Sequence, residues 1–207
     1  MTDASARPVA AHGQVIAAHG HAHHPPTGFI RKHIFSLDHK VIGKQYLDLA
    51  LVAVLTGMVL SWLMRFHLAY PTAAVPGLGK IAPGVAAGGI ITPELYLSLM
   101  TMHGTIMVFF VLTGGLSGTF SNLLIPFQVG ARDMASGFIN MLSFWFFFAA
   151  SIVMISSLFV ESGPASGGWT VYPPLSALPE AIPGSGTGMT LWLFSMILFV
   201  AGSLMGR

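Results

Sequence analysis

The sequence predicts an all-α fold, a polytopic membrane helix bundle of about four transmembrane helices, and three observations carry that prediction. Only 8% of the 207 residues are charged while 54% are hydrophobic, whereas soluble domains carry about 25% charged residues. Four apolar runs, at about 46–64, 93–121, 137–160 and 189–206, match or exceed the length of roughly 20 residues that crosses a ~30 Å hydrocarbon core. The stretches between them are rich in Gly and Pro or hold the few charges, as loops outside a bilayer should.

Residues 1–28 are rich in Ala, Gly and Pro and contain His12, His19, His21, His23 and His24. They are too polar and broken to bury a core and are expected to form a disordered His-rich tail. The run HGHAHH at 19–24 could hold a divalent metal weakly, but a solvated tract is the reading favoured here. The tail lacks the apolar core of a signal peptide, so insertion is expected to be directed by the internal helices of the membrane domain, 29–207. Residues 29–44 form a basic approach with Arg31, Lys32, Lys40 and Lys44. The first span follows at about 46–64 and closes at Arg65. The second opens on a helix-start pattern, with Thr92 as N-cap, Pro93 at the first helical position and Glu94 in the first turn. It is expected to reach about residue 121, ahead of Pro126. A connector with Arg132 and Asp133 leads to an uncharged third span carrying the aromatic run 144–148. A Gly/Pro-rich loop holding Trp169 and Tyr172 precedes the fourth span. The excess of Lys and Arg near the N-terminus places that end, with Asp133, in the cytoplasm of a bacterium.

Some function classes are excluded at once. With no cysteine there are no disulfides and no thiolate ligands, leaving His, Met or carboxylates for any metal. A net charge of +2 is too small to argue for nucleic acid, and the basic residues are not clustered in a way that suggests it.

His103 is the only group titrating near neutral pH in the uncharged stretch 95–118. It lies ten residues into the second helix, about 15 Å from its start. An ionisable group at that depth needs a partner. One reading is a packed histidine bonded to a neighbouring helix; the other is axial ligation of a planar apolar cofactor such as haem. At 100° per residue, Tyr96, Met100, His103, Met107, Phe110 and Gly114 share one face, and Gly114 with Gly118 has the spacing that permits close helix contact. Arg65 either snorkels to the interface or pairs with a haem substituent. Asn122, Asp133 and Asn140 place three polar groups at one mouth, either as turn and cap residues or as the start of a water-filled proton path.

Five strings then combine: FSLDHKVIGKQYL at 35–47, TMHGTIMVFF at 101–110, NLLIPFQVGARDMA at 122–135, LSFWF at 142–146 and WTVYPPL at 169–175. In order and spacing they resemble subunit I of the haem–copper terminal oxidases, across residues 29–207. The resemblance implies the first third of a twelve-helix subunit that reduces oxygen to water and pumps protons. It makes His103 an axial ligand of the low-spin haem, A-type favoured, and sets Arg65 beside that haem's edge. It assigns Trp169 and Tyr172 to the outer loop over the haems. Asp133 becomes the entrance of a proton channel, with Asn122 and Asn140 just inside. Copper is expected only in a C-terminal part, because no HPEVY motif occurs here. The positions where ubiquinol-oxidising relatives carry Arg, Asp, His and Gln are Thr56, Leu60, Leu95 and Ser98 here, which favours cytochrome c as electron donor. Other oxidase subunits are the implied partners and the bacterial inner membrane the implied location. Two alternatives stand beside this: a nitric oxide reductase relative, against which the Asn122–Asp133–Asn140 set argues, and a non-catalytic membrane fragment or assembly protein.

Overall fold

The computed structural model describes residues 28–81, 86–160, 163–178, 181 and 186–206. The expectation of a disordered, His-rich tail falls on residues outside that set. Among the described residues every named element is helical. Four helices are long and apolar enough to cross a membrane: α1 (His39–Ala69), α2 (Pro93–Val129), α3 (Gly137–Phe159) and α4 (Gly186–Met205). A one-turn helix, Phe29–His33, precedes α1, and the short helical pieces Leu78–Ile81 and Ala87–Gly89 lie between α1 and α2.

The helix ends follow local chemistry. α1 starts at His39, ahead of the apolar run, because Asp38 caps it by accepting the Lys40 N–H at 2.9 Å. Thr92 accepts the Leu95 N–H at 3.2 Å to open α2. That helix passes through Pro126, which has no N–H to give to the Asn122 carbonyl one turn back. It stops three residues later, where Gly130 takes a left-handed conformation (φ 72°) and Ala131 N–H returns to the Pro126 carbonyl at 2.9 Å.

Between Ile106 and Leu116, α2 winds as a π-helix. The Ser117 N–H reaches back five residues to Leu112, and the Thr113 hydroxyl likewise donates to Val108. Glycines allow this widening at crowded points. A Cβ on Gly114 would run into the Phe147 ring, and one on Gly115 would stand 2.5 Å from Ala50 Cβ. The wider turn breaks the 100° register, so the single face expected along this helix does not persist. Met107 stays beside Gly57 of α1, whereas Phe110 stacks on Phe147 of α3 with ring centroids 5.7 Å apart. Gly114 and Gly118 likewise face different helices, the first meeting Phe147 and the second Tyr46.

α1 packs along α2, and α3 along α4. Gly43, Ala50 and Gly57 recur every seven residues on α1 and form its close seam with α2, meeting Asn122 and Leu123, Gly115, and Met107 in turn. Phe109, Phe110, Phe147 and Phe199 interlock three of the helices at centroid separations of 5.4–5.9 Å, within the 4.5–7 Å range of favourable aromatic pairs.

Candidate functional site

Two polar regions occupy opposite halves of α2. The first surrounds His103, which is half-buried. Its Nδ1 lies 2.9 Å from the Gly57 carbonyl oxygen. A carbonyl only accepts, so Nδ1 carries a proton, and in the neutral imidazole the lone pair is on Nε2. This is the arrangement by which metal-binding histidines are oriented, one ring nitrogen anchored and the other left basic. Gly57 can approach because it has no side chain: a Cβ there would stand 2.6 Å from Met107 Sδ and 3.7 Å from His103 Nδ1.

Trp169 reaches the same region. Its ring lies over Gly104, where an added Cβ would be 3.5 Å from Trp169 Cδ1, and 6.0 Å from the Phe109 ring. Two threonines tie α2 to its neighbours here, Thr101 to the loop that carries Trp169 and Thr105 to α4. The Thr101 hydroxyl donates to the Leu97 carbonyl at 3.0 Å and accepts the Gly168 N–H at 3.1 Å. One turn on, Thr105 donates to the Thr101 carbonyl at 2.8 Å and accepts Trp192 Nε1–H at 3.0 Å from α4. Each hydroxyl spends its one hydrogen on its own helix, so its lone pairs are what the loop and α4 meet. Neither threonine stands out in the sequence, because their partners are 67 and 87 residues away.

Arg65 and Tyr172 are not drawn into this set. Arg65 lies eight residues beyond Gly57, about 12 Å further along the helix. It is exposed and makes no ion pair among the described residues. The Tyr172 side chain is 75% exposed.

The second region does bring its residues together. Asp133 Oδ1 accepts from His39 Nδ1 at 2.9 Å and from the Met134 N–H at 2.8 Å. Asn122 Nδ2 donates to the Gly118 carbonyl at 2.8 Å, which turns its Oδ1 toward Asn140 to accept from Asn140 Nδ2. Since the Gly118 carbonyl cannot donate, this fixes the orientation of both amides. Asn140 Oδ1 is then buried without a partner among the described residues, an acceptor that a water would satisfy. Asp133 and Asn140 line a cleft of about 490 Å³. A second cleft of about 430 Å³, lined by Tyr46, Ser117, Ser121, Ser143 and Ser203, shares Ile125, Met134 and Gly206 with it. Tyr46 and Ser143 are hydrogen-bonded at 2.7 Å. His39, Tyr46 and Ser143 were missed as site residues. All three lie within matched strings, His39 and Tyr46 in 35–47 and Ser143 in 142–146.

An integral membrane protein with a backbone-anchored imidazole in one half of a helix and a carboxylate–amide cleft at the other end is the class this fold and these sites define. The chain belongs to the family described as Cytochrome C and Quinol oxidase polypeptide I, whose model matches residues 41–207. It is 42% identical over 184 residues to the Alternative cytochrome c oxidase subunit 1 of Bradyrhizobium diazoefficiens, covering 89% of this chain and 28% of that protein. Cytochrome c oxidase subunit 1 of Synechocystis sp. is 37% identical over 187 residues, 89% of this chain and 29% of the relative. The protein of that name from Thermostichus vulcanus is 36% identical over 172 residues, 83% and 27% respectively. The chain thus spans less than a third of the length of these curated relatives.

Proposed function

We propose that this chain is the N-terminal portion of the catalytic subunit of a terminal respiratory oxidase, one that passes electrons from cytochrome c to oxygen and couples the reduction to proton pumping. His103 would be one of two histidines holding its low-spin haem, A-type favoured. The observation that carries this reading is the hydrogen bond from His103 Nδ1 to the Gly57 carbonyl at 2.9 Å, which leaves Nε2 as a fixed, neutral donor to iron. When bound, a haem supplies reversible one-electron chemistry.

The chain's own residues prepare and enclose that position. Gly57 orients the imidazole, Met107 lies beside Gly57, and Trp169 lies beside Gly104. Arg65, exposed and without an ion pair among the described residues, is available to a ring substituent. At the other end Asp133, oriented by His39, takes protons from the cytoplasm of a bacterium, whose inner membrane holds the complex. Asn140 and Asn122 hold water inside the mouth, and Tyr46 and Ser143 continue the polar path. The cleft lined by Asp133 and Asn140, with Asn122 hydrogen-bonded behind Asn140, supports this reading over a nitric oxide reductase relative. Copper and the remaining haem ligands belong to a part of the subunit beyond this chain, and other oxidase subunits complete the complex.

The test uses the full-length oxidase. His103→Ala loses the low-spin haem absorption bands, and unchanged bands overturn the assignment. Asp133→Asn keeps those bands while proton uptake and turnover slow. Loss of haem in that variant would make Asp133 structural.

A further inference from the structure

The segment just before α1 is used by neither site. Phe29, Ile30, Phe35 and Leu37 are exposed, the first two by 73% and 60%. Among them and on the first turns of α1 stand four exposed cations, Arg31, Lys32, Lys40 and Lys44. Residues 28–37 contain no carboxylate, and the nearest, Asp38, is engaged in capping Lys40.

The segment is also held in place. Gln45 Nε2, more than a turn inside α1, donates to the carbonyls of His33 and Ile34 at 2.7 and 3.0 Å. Phe35 stacks on Trp145 of α3 with centroids 4.8 Å apart. These contacts fold the segment back against the helix ends as an elbow, at the level where an apolar span gives way to charge.

We propose that this elbow is an interfacial docking surface for anionic phospholipid headgroups. Phe29 and Ile30 enter the boundary between headgroups and acyl chains, while Arg31, Lys32, Lys40 and Lys44 meet the phosphates. Exposed aromatic and aliphatic side chains among cations are what an interfacial segment requires. Four to eight Lys or Arg residues beside a membrane span attract anionic lipid by about 1 kcal/mol each. Charge complementarity selects a phosphate-bearing anionic surface over a neutral one, and the adjoining span already sits in lipid. The inference does not depend on the haem or proton-path assignments.

The full oxidase in detergent provides the test. These 207 residues contain no cysteine, so an environment-sensitive fluorophore on Ile30→Cys is read as the difference between the labelled variant and the parent oxidase taken through the same labelling. Gly28→Cys, where a side chain meets nothing within 4 Å, is a second label position should the first perturb the elbow. Phosphatidylglycerol is expected to give a saturable blue shift that salt reverses, and phosphatidylcholine none. Half-saturation should weaken about five-fold for each of Arg31→Gln, Lys32→Gln, Lys40→Gln and Lys44→Gln at low salt, with the oxidase absorption spectrum unchanged. An equal response to both lipids overturns the proposal, because burial would then be apolar alone. No response to either also overturns it, because the elbow would then be covered by protein or left in water.

Discussion

The two ends of α2 solve different problems with different materials. Around His103 the critical partner is a backbone carbonyl, that of Gly57, and the selectivity lies in empty volume. Around Asp133 the critical contacts run between side chains, His39 to Asp133 and Asn140 to Asn122, and the selectivity lies in the direction of donors and acceptors. A backbone anchor cannot be removed by substitution, only displaced by bulk. A side-chain network fails when one member loses its polarity. The first site should therefore respond to size and the second to chemistry.

The largest effect is expected at Gly57. Gly57→Val puts branched carbon where even a Cβ stands 2.6 Å from Met107 Sδ, driving Met107 and the His103 ring off their positions. Disturbing the group that orients a metal-binding histidine costs about 10–100-fold in affinity. Haem content in the purified oxidase, read optically, should fall accordingly. Met107→Ala in the same protein should recover part of it, since the space lost is the space Met107 filled. No change in haem content with Gly57→Val would end the contrast, because size would then not govern this end.

A smaller effect is expected at Asn140. Asn140→Leu keeps the forked side-chain outline but leaves buried Asn122 Oδ1 without its donor, at a cost of about 1–3 kcal/mol. Thermal unfolding of the detergent-solubilised protein measures that loss. The haem bands should be unaffected while proton uptake slows, which is the reverse of the Gly57 pattern.

The smallest effect concerns the loop over His103. Thr101→Val removes the acceptor of the Gly168 N–H, a bond worth about 0.5–1.5 kcal/mol, and frees Trp169 to move on Gly104. Tryptophan emission should shift toward that of a solvated indole, and Thr101→Ser should restore it. If serine fails to restore it, the threonine methyl and not the hydroxyl holds the loop.

Much of the architecture needed no tertiary information. Apolar length and the scarcity of charge determine four helices, because a bilayer leaves a chain few other ways to satisfy its backbone. The start of α2 at Thr92 and Pro93 is local as well, since capping chemistry acts within one turn. His103 was conspicuous for the same reason, being a lone imidazole at membrane depth. What tertiary structure alone decided is which atoms those residues meet. The Gly57 carbonyl looks in the sequence like any other backbone group. Thr101 and Thr105 read as ordinary helix hydroxyls, and the π-helical winding after His103 comes from packing against Ala50 and Phe147. The sequence by itself determined how many helices cross and which residues are costly to bury. The fold decided their partners, because helix formation depends on neighbours four residues away, whereas orienting an imidazole or an amide requires an acceptor brought from 46 or 18 residues off.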